Sequence, residues 1–128
     1  MLKRIFTFSA ATLLISGCST MQLATHNPLL GEWKSTSSEA TLRFEERRVS
    51  GSDGCNRYGS TYTAGADTLA ISDQMMSTEM ACESDRMKSA DQFRQSLMAT
   101  KRYRSDGKTL TLLGSSGEVL GEFLLRGK

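Results

Sequence analysis

The chain has one histidine, one proline, one tryptophan and three cysteines in 128 residues. A lone histidine, His26, excludes multi-histidine metal sites and most hydrolytic triads. Charge of one sign is also lacking. Sixteen basic residues stand against fourteen acidic ones, a formal charge of +2. That excess cannot build the dense basic field that nucleic-acid binding needs, and the two signs are interleaved, which argues against a charged disordered tail. The longest apolar run, Ile5 to Ile15, has about eleven residues, too few to cross a bilayer as a helix. A chain of this length supports one domain.

What is present begins with an export pattern. Lys3 and Arg4 precede the apolar run, the order of a secretory signal. Ile15-Ser16-Gly17-Cys18 follows, and it resembles the lipobox of bacterial lipoproteins, whose cysteine thiol takes a diacylglycerol before cleavage. The resemblance implies that residues 1–17 are a signal peptide and that Cys18 becomes an acylated N-terminus. It also implies, from Ser19 at the next position, an outer-membrane lipoprotein facing the periplasm of a bacterial envelope. Two or three acyl chains anchor stably, because each buried methylene contributes about 0.8 kcal/mol. Lys3 and Arg4 are the only charges in residues 1–17, so residues 18–128 carry fourteen of each sign and no net side-chain charge. Residues 18–28 show no periodicity and read as the lipidated N-terminus and tether, His26 among them as a solvated linker residue.

Residues 29–128 read as one domain of short strands broken by Gly, Ser and Asp turns. Strands are expected at 30–34, 40–45, 47–51, 57–64, 68–72, 101–104, 108–113 and 118–126. Between the fifth and sixth lies a helical window, Arg86 to about Thr100, with Met87, Ala90, Phe93, Leu97 and Met98 on one side. Ser84 or Ser89 is the expected cap. The fold class is mainly β (α+β): a small antiparallel β-barrel or strongly curled sheet of about eight strands packed around one amphipathic helix. Closure hides the sheet edges and the helix plugs the interior.

Two windows carry further information. One runs Gly51-Ser52-Asp53-Gly54-Cys55-Asn56 into a strand with Tyr58 and Tyr62, and the other is Thr78-Glu79-Met80-Ala81-Cys82. Together they resemble the META domain family of HslJ-like heat-shock proteins, which carries a Gly-x-x-Gly-Cys-Asn core and a Thr-x-Met-Ala-Cys segment. The matching motif residues are Gly51, Gly54, Cys55, Asn56, Tyr62, Thr78, Met80, Ala81 and Cys82. The resemblance covers about residues 29–125. It implies a small antiparallel barrel wrapped on one helix, and association with heat shock and antibiotic resistance. With Cys18 acylated, Cys55 and Cys82 remain. An oxidising compartment permits a disulfide between them, and two buried free thiols are the other reading.

The other constellations have structural explanations. Met75, Met76, Met80, Met87 and Met98 offer soft thioether ligands, but core filling accounts for them. Glu79, Glu83 and Asp85 read as a solvated acidic surface, and Arg47, Arg48, Lys101, Arg102 and Arg104 as charges on strand edges. No serine has a histidine base or a suitable Ser-x-x-Lys lysine. The expectation is a non-catalytic, monomeric envelope protein with no metal or cofactor, attached to the membrane through Cys18 and not binding nucleic acid. It would bind an envelope protein or an apolar ligand on a helix face bearing Met87, Phe93 and Leu97. A purely structural lipoprotein is the alternative, and a hydrolase of envelope components is a more distant one.

Overall fold

The computed structural model describes residues 26–128. Residues 1–17, Cys18 and the tether to residue 25 lie outside the described residues. Nine strands and one helix follow in the order β1 (Gly31–Ser35), β2 (Thr41–Phe44), β3 (Arg48–Ser52), β4 (Arg57–Ala64), β5 (Leu69–Ile71), β6 (Met76–Ser77), α1 (Ser84–Ala99), β7 (Arg102–Ser105), β8 (Thr109–Leu113) and β9 (Val119–Gly127). The sheet order is β5-β4-β3-β2-β1-β9-β8-β7, with every pairing antiparallel. A single bridge, Thr68 to Arg102, brings the two ends together. There Leu69 N–H donates to the Lys101 carbonyl at 3.0 Å, and Tyr103 N–H to that of Asp67 at 3.0 Å. The eight-strand sheet is thus nearly closed, as expected. The additional β6 pairs with β4 and lies off the main path.

Alternation along the strands builds the interior. Leu42 and Phe44 of β2 point inward and Arg43 outward, while Leu110 and Leu112 repeat the pattern in β8. Trp33 is fully buried in β1 and donates its indole N–H to the Leu29 carbonyl at 2.8 Å. Each such buried side chain contributes about 1.5–3 kcal/mol of hydrophobic stabilisation.

Helix α1 presents Ala90, Phe93 and Leu97 to this interior. The Phe93 ring meets Tyr58 at 5.7 Å and Phe123 at 6.1 Å between centroids, so it joins both halves of the sheet. The helix starts two residues earlier than its apolar spacing suggested. Neither serine caps it: Ser84 is the first helical residue, Ser89 lies inside the helix, and the N-cap is Glu83, without a side-chain cap bond. At the other end Thr100 turns extended, and its hydroxyl bonds the Ser96 carbonyl at 2.8 Å.

The last tether residues belong to the fold. Asn27 donates its amide to the Tyr62 hydroxyl at 3.0 Å, its side-chain oxygen accepts Leu29 N–H at 3.0 Å, and its carbonyl accepts Leu30 N–H at 3.2 Å. Asn27 is thus tied to the domain by two side-chain partners, Tyr62 and Leu29, and by one bond to its backbone carbonyl.

Candidate functional site

The two motif windows meet at one end of the barrel. In the turn between β3 and β4, the buried Asp53 accepts N–H bonds from Cys55 at 2.8 Å and Asn56 at 2.6 Å through Oδ1. Its Oδ2 lies 3.4 Å from Arg94 Nε of α1 but makes no hydrogen bond. Asn56 then acts as a short strand. Its Oδ1 accepts Met80 N–H at 2.6 Å and the Thr78 hydroxyl at 2.9 Å, and its Nδ2 donates to the Met80 carbonyl at 3.3 Å. Thr78 Oγ1 also accepts Arg57 N–H at 3.1 Å. Cys55 and Cys82 are joined in a disulfide with 6.0 Å between their Cα atoms. Cys55, Asn56, Thr78, Met80 and Cys82 thus form a latch that fastens residues 78–82, just before α1, to the β3–β4 turn.

Geometry also accounts for the two glycines. A Cβ on Gly51 would lie 2.3 Å from the Thr41 carbonyl oxygen, so only glycine lets β2 and β3 approach there. Gly54 has φ +98°, a turn conformation that side chains disfavour. Ala81 is exposed between the latch residues and makes no side-chain hydrogen bond. Tyr62 stands apart from the latch. Its ring packs edge-on against Phe44 at 5.0 Å, and its hydroxyl bonds the Glu45 carbonyl.

Tyr58, beside the latch, donates its hydroxyl to the Thr41 carbonyl at 2.7 Å. Burial first, and the charge of Asp53 second, push its pKa well above the usual phenol range. The sign of the pH effect follows. Below about pH 10 both folded and unfolded chains hold the proton, and above it only the unfolded chain ionises, so stability falls as pH rises. Tyr58→Phe should flatten this alkaline decline, measured by urea unfolding between pH 8 and 11, while costing about 0.5–1.5 kcal/mol at neutral pH for the lost hydrogen bond. Tyr62 and Tyr103 are also shifted upward by burial, so some slope should remain. A slope identical to that of the parent chain would refute this role for Tyr58.

Among the described residues, the opposite end of the barrel is open. Strand β4 runs from the latch toward it, eight residues or about 27 Å. Residues 26–28 lie between two clefts there. One, of about 780 Å³, is lined by Trp33, Phe44, Leu30 and Leu125, with charged residues among the rest of its lining. The other, of about 1100 Å³, lies beside Tyr62, Ile71 and Tyr103.

The helix face expected to meet a ligand does not line a common cavity. Phe93 and Leu97 are core residues, Met87 is exposed, and the hollow of about 230 Å³ beside Phe93 and Leu97 does not reach Met87. The methionine expectation also needs correction. Met75 and Met98 pack against the core, but Met76, Met80 and Met87 face solvent, because residues 76–80 form a surface strap and Met87 lies on the first helical turns. Among the described residues, no three His, Cys, Asp or Glu side chains cluster as a metal site would require.

Sequence reasoning missed the pairing of Asp53 with Arg94. The one available signal was the Asp two residues before Cys55, the spacing of an Asx turn.

Comparison with known proteins agrees with the fold. The model of the META domain matches residues 20–125. An NMR structure of a protein from Burkholderia xenovorans is similar at 19% identity and a TM-score of 0.57, covering 85% of this chain and 96% of that one. A crystal structure of a DUF4847 family protein from Bacteroides vulgatus ATCC 8482 is similar at 16% identity and a TM-score of 0.55, covering 70% of this chain and 60% of the other. No curated protein matches the chain significantly in sequence. With the family match spanning the strands, the helix and both motif windows, the chain belongs to the META domain family.

Proposed function

We propose that this META domain is an HslJ-like, lipid-anchored protein of the bacterial envelope that contributes to heat or antibiotic stress tolerance by binding rather than by catalysis. The observation that carries the reading is the open cleft of about 780 Å³ at the end of the barrel where the chain leads back toward Cys18. Its volume falls within the range of ligand sites, about 300–1,000 Å³. The latch, by contrast, commits its polar groups to one another, and the cysteines of the motif are spent on a cross-link. The binding region is thus at the tether end and not on the helix face. The purely structural alternative draws on the burial of Phe93 and Leu97 in the core cluster.

The anchor has a direct test. Cys18→Ala should move the protein from the membrane pellet to the soluble fraction of lysed cells, because every acyl chain depends on the lipidation of that one residue. Unchanged fractionation would refute the anchor.

A further inference from the structure

We infer that the tether-end cleft between Trp33 and Leu125 takes one alkyl chain of a zwitterionic membrane amphiphile. The inference deepens the binding reading above and rests on it for access to the membrane.

The cleft has an apolar floor. Leu30, 36% exposed, and the partly buried Leu125 supply its accessible surface, over the buried rings of Trp33 and Phe44. The one polar atom of the Trp33 side chain is already used on the Leu29 carbonyl, so the indole beneath the cleft needs no polar partner from an occupant. An occupant held here gains by burying hydrocarbon.

The rim determines the head group. Arg43 pairs with Glu45 at 3.5 Å, and Glu32 with Arg126 at 4.0 Å. The Asp106 carboxylate accepts the N–H groups of Lys108 at 2.9 Å and Thr109 at 2.7 Å. Lys128 also lines the mouth, so Glu32, Glu45 and Asp106 stand against Arg43, Lys128 and the neighbouring Arg126, and the two signs nearly balance. No concentrated positive field selects a free carboxylate or phosphate, and a head group with no net charge meets no opposing field.

The leash determines the source. His26 lines the cleft, and it is only eight positions from Cys18, about 26 Å when fully extended. With Cys18 anchored, the mouth stays within that distance of a bilayer, so membrane amphiphiles reach it at an effective concentration that no dissolved metabolite matches.

Trp33 is the single tryptophan and forms part of the cleft wall, so its fluorescence reports occupancy. The experiment titrates the full chain carrying Cys18→Ala with dissolved lysophosphatidylcholine whose acyl chain bears bromine, a contact quencher. Saturable quenching of Trp33 at one equivalent is expected, with a midpoint raised at least tenfold by Leu30→Glu. That substitution places a charge on the partly exposed wall and leaves the backbone bond of Leu30 to Asn27 intact. A brominated fatty acid of the same length should bind no more tightly. Absence of saturable quenching, or quenching indifferent to Leu30→Glu, overturns the proposal, and a tenfold preference for the fatty acid overturns the zwitterionic assignment. Because the probe is dissolved, this outcome is independent of anchoring, which the Cys18→Ala fractionation decides on its own.

Discussion

Replacing both Cys55 and Cys82 by alanine should lower the unfolding free energy by about 3.6 kcal/mol, the chain-entropy value for a cross-link closing a loop of about 28 residues. The cysteines are 27 positions apart. For a small domain stable by about 5–15 kcal/mol, this is a large share of the total. Urea unfolding followed by Trp33 fluorescence would show it as a lower midpoint. The native strap should nevertheless stay in place, because Met80 N–H remains bonded to Asn56 Oδ1 and Thr78 N–H to the Arg57 carbonyl. Hydrogen exchange should therefore find both amides still protected in the double variant. An unchanged urea midpoint would mean that the cross-link constrains little in the unfolded chain. Loss of protection at both amides would mean that the covalent bond, not the Asn56 amide, seats the strap.

The second large effect is expected at Asp53. Asp53→Ala should destabilise by about 3–5 kcal/mol, since it strands the N–H groups of Cys55 and Asn56 in a buried turn and hydrogen bonds to a charged acceptor contribute about 1.5–3 kcal/mol each. Asp53→Asn keeps an oxygen for those two donors and should cost much less. The ion pair is the smaller component: Arg94 is one-third exposed, sits 3.4 Å from Asp53 and also bonds Asp91 at 2.8 Å. Solvent screening holds such a contact to about 1 kcal/mol or below, and Arg94→Ala should show a loss of that size. Equal losses in Asp53→Ala and Asp53→Asn, measured by denaturant unfolding, would contradict the argument and assign the stabilisation to charge alone.

The strands could be read wherever side chains alternate. Strand β4 matches the expected 57–64 residue for residue, and β8 and β9 agree to within one position at each end. Strand β6 left no sequence signal, because two residues cannot display a period. The helix stripe located Ala90, Phe93 and Leu97 correctly, but it could not tell that Met87 faces solvent, since periodicity fixes a direction and not what lies there. The motif windows marked where the latch would form. They did not reveal that Asp53 anchors it, for its partner Arg94 is 41 positions away on another element. The tether-end cleft was invisible for the same reason: Leu30 and Leu125 share its wall from nearly opposite ends of the chain.

The strand order also bears on how the chain folds. Strands β1 to β5 are joined by consecutive pairings, as are β7 to β9, and both groups can grow from local hairpins. Only the β1–β9 pairing, in which Trp33 faces Leu125, closes a span of 92 residues. Closing so long a loop carries an entropic cost that the local pairings do not. Docking of the two meanders along β1 and β9 is therefore expected to carry the largest loop-closure cost in the sheet, and the wall of the tether-end cleft is complete only once that pairing has formed.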